Sequence, residues 1–220
     1  MNIIVKIISE PYRIWVRLRS GIEWILGQFK PFRFFIGTKN DEYPITFLIW
    51  FHQKFAGKNA SAYWPMHTAS QVSYPRNVLI GKGVVPGYSP GCYIHAVNKI
   101  YIGDYTFIGP NVGIMSGNHN LNDLRKQTLN KPIIIGKYCW LGMNSMILPD
   151  VELGDFTIVG AGAIVTKSFQ DGYCIIGGNP AVLIRKLEPE KCLRFEVDYN
   201  YIGYIPRHDF TDFRKNNLNV

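Results

Sequence analysis

Aliphatic residues stand six apart along the second half of this chain: Ile135, Leu141, Ile147, Leu153, Val159 and Val165. Glycine follows four of the six, at Gly136, Gly142, Gly154 and Gly160. The fifth residue of each unit is small or β-branched: Cys139, Ser145, Val151, Thr157 and Ala163. An earlier block, Ile102, Ile108 and Ile114, keeps the same interval, with Thr106 and Val112 in the fifth slots. Neither a helical period nor strand alternation produces a clean six, so the pattern predicts a solenoid of very short units.

Six residues make one short strand and one corner, and three units close a triangular coil whose strands pair in parallel with the next. The aliphatic and fifth residues then point inward, and like side chains stack along the axis into a continuous core. Glycine after the aliphatic residue relieves a turn where a side chain would crowd the bend. Chance spacing does not explain three slots that agree, so the fold class is mainly β.

The remainder reads as additions to this prism. Residues 1–62 form an N-terminal helical, basic region; up to Lys39 its charges are Lys6, Arg13, Arg17, Arg19, Lys30, Arg33 and Lys39 against Glu10 and Glu23. Ile14, Trp15, Leu18, Ile22, Ile25 and Leu26 fall at helical spacing and predict an amphipathic helix over 11–28, with a second over 45–55. Such a helix packs on the prism base or a neighbouring subunit, or else lies on an anionic membrane. Residues 63–187 hold the prism, starting with Val78, Ile80 and Val84, continuing with a strand over 92–96, and interrupted at 115–132 by a polar insertion where function is placed. Residues 188–220 extend it, with a helix expected from Glu188 and a frayed end around Arg214 to Asn217.

The net charge of +8 comes with no nucleic-acid motif. No apolar run is long enough to cross a bilayer. The apolar stretch after Met1 is cut by Glu10 and Pro11, with no convincing cleavage site. Four cysteines without paired spacing indicate a reducing compartment, hence a cytoplasmic location, with the inner membrane face as the variant.

Three segments together resemble the hexapeptide-repeat acyltransferases: Tyr138-Cys139-Trp140-Leu141-Gly142, then Val159 through Lys167, then Gly178-Asn179-Pro180-Ala181, joined by the Asn118-His119 loop. Within that family the sugar O-acetyltransferases of polysaccharide biosynthesis are most similar. The resemblance covers about residues 76–187 and implies a left-handed parallel β-helix, a homotrimer, and acetyl-coenzyme A lying in grooves between prisms.

Acetyl transfer from a thioester to a hydroxyl requires a base for the attacking hydroxyl, stabilisation of the oxyanion, and a proton for the departing thiolate. One imidazole can serve first and last, its reference pKa being ~6.5. The resemblance places His119 there, eight residues after Asn111. Asp123 is a candidate to orient it, as is any backbone carbonyl; Asn118 contacts a ligand or shapes the turn. For the coenzyme the resemblance implies Trp140, Gly142, Ala161 and Gly162 along the pantetheine, with Thr166, Lys167 and Arg185 toward the phosphates. A basic position of some relatives is Val182 here. His95, Tyr88 and Asn98 are candidate sugar contacts.

Three other functions use the same prism: acetylation of xenobiotics or other small molecules, zinc hydration as in gamma-class carbonic anhydrases, and a non-catalytic scaffold. Zinc needs three ligands, and only His95 and His119 lie in the repeats, so no metal is expected.

Overall fold

The computed structural model describes residues 3–55, 57–128 and 131–220, with side chains from Ile14 onward. Its centre is a three-walled parallel β-helix. The first wall carries Val78–Ile80, Ile100–Ile102, Ile133–Ile135 and Glu152–Leu153. The second carries Phe107–Ile108, Trp140–Leu141, Thr157–Val159 and Cys174–Gly177, and is closed by the antiparallel strand Val182–Lys186. The third carries Gln71–Ser73, Tyr93–His95, Gly113–Met115, Met146–Ile147 and Ile164–Val165.

Every repeat aliphatic from Ile135 to Val165 is at most 2% exposed, and Cys139, Ser145, Val151, Thr157 and Ala163 are fully buried. Each such aliphatic contributes roughly 1.5–3 kcal/mol by leaving water, so the stacked interior carries most of the stability. The glycines act differently from the expectation. Gly142 has no left-handed backbone; a Cβ there would stand 2.6 Å from the Val159 carbonyl oxygen of the next coil. Close approach of coils, rather than relief of a bend, excludes the side chain.

The bend is made two residues later. Tyr138, Asn144, Asp150, Phe156 and Gly162, six apart, all have positive φ, as do Tyr105, Asn111 and Tyr173. Asn and Asp tolerate this region, whereas an aromatic residue there costs about 1–2 kcal/mol. The aromatic corners share a column. Rings of Tyr105 and Tyr138 stack at 5.2 Å, Tyr138 and Phe156 at 4.8 Å, and Phe156 and Tyr173 at 5.0 Å. Such pairs are worth about 0.5–1.5 kcal/mol, comparable with the backbone cost.

Among the described residues four α-helices accompany the prism: α1 (Ile3–Gly27), which packs mainly on α2 and α3, α2 (Phe34–Gly37), α3 (Phe47–Phe55) and α4 (Phe210–Asn217). Helix α1 starts well before the predicted position and runs through Pro11. A small aromatic cluster of Phe34, Phe35 and Ile45, joined by Leu26 and Trp50, connects α1, α2 and α3.

Two expectations for the C-terminus are overturned. From Glu188 to Glu196 there is no α-helix, only the 3-10 turn Pro189–Lys191, because the residues after it are occupied along the aromatic column. Arg194 donates to the Tyr173 hydroxyl (2.7 Å) and lies 5.4 Å over Phe156. Phe195 packs on Tyr138 and Tyr105, and Val197 N–H donates to the Tyr105 hydroxyl (3.2 Å). Nor is the end frayed: α4 docks Phe210 and Phe213 on Tyr63.

Candidate active site

The polar insertion is a β-hairpin. His119–Asn120 pairs antiparallel with Asp123–Gln127, and the Asn120 side chain accepts from Asn122 and Asp123 N–H groups to close the turn. The hairpin leaves the prism where the third wall passes into the first. At its stem Ser116 is fully buried; its hydroxyl meets the carbonyls of His95 (3.1 Å) and Asn98 (2.8 Å) and the Asn98 N–H (2.9 Å). The Asn98 amide in turn donates to the Ser116 carbonyl at 2.7 Å. Asn98 is thus tied into the corner supporting the hairpin.

His119 is exposed, and its Nδ1 lies 2.7 Å from the Leu124 carbonyl oxygen across the hairpin. A carbonyl only accepts, so Nδ1 carries the hydrogen and Nε2 presents a lone pair. Asp123 does not orient this ring. Its carboxylate binds Arg125 (2.8 Å) and faces Lys126 (3.5 Å), and the Arg125 guanidinium holds it below the usual carboxylate range. Asn118 is exposed and closes the hairpin base through its carbonyl, which accepts from Thr128 N–H (2.8 Å).

Thr166 and Lys167 emerge from the same corner two coils along, about 10 Å by the usual strand spacing. Lys167 lies 5.8 Å from the Phe169 ring centroid and, like Arg185, makes no ion pair among the described residues. Arg185 is exposed on the strand closing the second wall.

The remaining candidates lie elsewhere. Trp140, 54% exposed, projects from the second wall. A shallow cleft of about 390 Å³ forms there, lined by Tyr43, Ser89, Phe107, Ile108, Gly109 and Trp140. Ala161 and Gly162 are exposed at the corner between second and third walls, with open space at Gly162. Gly142 is buried, and its N–H donates to the Val159 carbonyl (2.8 Å), so it offers no free donor. Tyr88 is likewise engaged: its hydroxyl donates to the Pro44 carbonyl (3.0 Å) and its ring meets Tyr43. His95 is half-buried between Tyr74 and Tyr93, and its Nδ1 is buried without a partner. Within one chain, His119, Asn98 and Lys167 therefore share one corner, while Trp140, with Arg185, occupies a different face.

Sequence reasoning missed Leu124, because a carbonyl leaves no side-chain signature, and Tyr43, which lies outside the repeats. Ser116 was visible only as one polar residue among several. Among the described residues no three His, Cys, Asp or Glu side chains converge as metal ligands would.

Residues 132–167 match the family model described as bacterial transferase hexapeptide (six repeats). The chain is 31% identical over 146 residues to galactoside O-acetyltransferase of Escherichia coli (strain K12), covering 65% of this chain and 68% of that protein. It belongs to the hexapeptide-repeat acetyltransferase family. Two other curated relatives are matched over less of their length. Galactoside O-acetyltransferase of Lactococcus lactis subsp. lactis (strain IL1403) is 32% identical over 115 residues, 51% of this chain and 54% of that protein. WcaF of Escherichia coli (strain K12), named for colanic acid biosynthesis, is 32% identical over 117 residues, 53% of this chain and 62% of that protein. The chain thus spans little more than half the length of several curated relatives it matches. Among solved structures, a galactoside acetyltransferase in complex with coenzyme A has a TM-score of 0.51 and 29% identity, covering 64% of this chain and 70% of that chain.

Proposed function

We propose that this chain transfers an acetyl group from acetyl-coenzyme A to a sugar hydroxyl, with His119 as general base. The observation that carries the reading is the hydrogen bond from His119 Nδ1 to the Leu124 carbonyl at 2.7 Å, which fixes the tautomer and leaves Nε2 as an outward-facing base. The acceptor oxygen attacks the thioester carbonyl carbon while its proton passes to Nε2. The tetrahedral oxyanion then collapses, the C–S bond breaks, and the imidazolium returns that proton to the leaving thiolate. The products are an acetyl ester and coenzyme A.

The donor belongs beside this corner. Lys167 carries a cation without an ion-pair partner, as does Arg185 on the second-wall strand, and both suit phosphates. Because the His119 corner and the Trp140 face diverge within one chain, a second copy supplies the opposite wall of the groove. The reading therefore includes a homotrimer of left-handed coils, in which each groove receives His119 from one copy and Trp140 from its neighbour. Likeness to the galactoside enzymes and to WcaF supports a sugar acceptor and a role in surface polysaccharide synthesis.

Replacing His119 by Ala should lower kcat by about 10²–10⁴-fold while coenzyme A binding stays within a factor of a few. Steady-state kinetics over a panel of sugars, sugar nucleotides and chloramphenicol-like alcohols, with mass detection of the ester, tests both base and acceptor. Full turnover by the variant would refute the base assignment. Turnover of the alcohols alone would transfer the reading to small-molecule acetylation.

A further inference from the structure

Helix α1 stands largely clear of the prism. Its main packing partners are α2, α3 and the turn Lys30–Phe32. Ile14, Leu18, Ile22, Ile25 and Phe29 follow one stripe, 55%, 59%, 37%, 57% and 59% exposed. Trp15 borders this stripe, and Trp24 projects from the flank; they are 46% and 64% exposed. The expected packing against the prism base is absent at these residues, and a large apolar surface is left uncovered.

We propose that this stripe binds the surface of an anionic lipid bilayer, embedding the apolar residues at the headgroup boundary while the body of the protein stays in water. Charge decides between a membrane and a second copy of the helix. Over residues 14–33 the cations are Arg17, Arg19, Lys30 and Arg33, and the single acid is Glu23. Glu23 is already committed: it accepts from Phe47 N–H (2.8 Å) and faces Arg19 Nε (3.3 Å). Helices gathered from several copies would bring like charges together with no carboxylate free in this segment to pair them. An anionic surface neutralises the same cations. Tryptophan rings with a polar edge favour the headgroup level. The helix fits the interfacial class, in which an apolar stripe is flanked by cations; no helix among the described residues is long and apolar enough to span a bilayer.

The test is sedimentation of the full chain with vesicles of phosphatidylcholine alone or mixed with phosphatidylglycerol. Binding to the mixed vesicles only, weakened by added salt, is expected. Arg17→Gln and Lys30→Gln should each weaken it roughly five-fold. Leu18→Asp combined with Ile22→Asp should abolish it; these side chains are exposed, and circular dichroism and the melting temperature check that the fold survives. His119→Ala should bind vesicles like the wild type, which keeps the result separate from catalysis. Absence of binding to the mixed vesicles, or undiminished binding by the double aspartate variant, would overturn the proposal. So would a wild type indifferent to lipid whose assembly mass falls in the double variant, which would identify the stripe as a contact between copies.

Discussion

Gly142 separates a structural reading of the repeat glycines from a ligand-binding one. If the coenzyme required this glycine, Gly142→Ala would raise KM for acetyl-coenzyme A and leave stability alone. The structure indicates the reverse. A Cβ at this position would stand 2.6 Å from the Val159 carbonyl oxygen and 2.8 Å from the Ala161 nitrogen, both backbone atoms of the next coil. Ordinary contact begins near 3.4 Å. The coils must therefore part by several tenths of an ångström, stretching the 2.8 Å bond from Gly142 N–H to Val159 and its neighbours in the ladder. Overpacking costs about 1–3 kcal/mol and a weakened hydrogen bond about 1 kcal/mol. Alanine recovers about 0.4–1 kcal/mol by restricting the unfolded chain. The net loss is about 1–3.5 kcal/mol, or roughly 2–14 °C in Tm for a chain of this size. Gly160→Ala is the internal control, because its nearest contact is 3.3 Å from the Ile176 carbonyl oxygen. It should cost less than about 0.5 kcal/mol. Urea titration at fixed protein concentration measures both, with KM determined on the same preparations. Equal stability of the two variants, or a KM effect confined to Gly142→Ala, would refute the reasoning.

Asp123→Asn should change kcat by less than about three-fold, since its carboxylate faces Arg125 and Lys126 while the ring of His119 is held by Leu124. A loss near that of His119→Ala in steady-state assays would return Asp123 to the orienting role. Burial pushes the Cys139 thiol up to about 12 from its ordinary value of 9.0, and raises the Tyr63 and Tyr204 hydroxyls as well. The folded chain keeps protons that the unfolded chain releases, so this stability is complete below pH 9.0 and declines as pH rises toward about 12. The slope from Cys139 alone is about 1.4 kcal/mol per pH unit. Urea midpoints across that alkaline range should fall, and fall less steeply in Cys139→Ala.

The prism was legible because its code is redundant: the aliphatic and small-residue slots specify one inward face while the glycine slot marks where coils meet, and Leu141, Gly142 and Ser145 are all buried. Tyr138 and Phe156 were harder to read. A bulky residue with positive φ contradicts local preference, and only the neighbouring rings and the returning tail make it acceptable. His119 could be singled out, whereas the group that orients it could not, because the choice between Asp123 and a carbonyl depends on the hairpin register. Tyr88 and Asn98 looked available in the sequence because their partners, Pro44 and Ser116, are brought close by coil stacking or chain return. The tail after Glu188 lacked a periodic signal, since extended chain anchored by a few side chains has none.

That returning tail changes how the molecule comes apart. An array of identical coils ordinarily frays from whichever end is weaker, each unit depending only on its neighbours. Here the chain leaves the second wall after Lys186, its tail passes Tyr173, Phe156, Tyr138 and Tyr105 in turn, and it returns to the first coil, where the Tyr204 hydroxyl donates to the buried Gln53 (2.8 Å). Gln53 itself holds Trp64 and Met66. The two extremities are thereby buckled together like the ends of a belt, so peeling either one means unfastening the other.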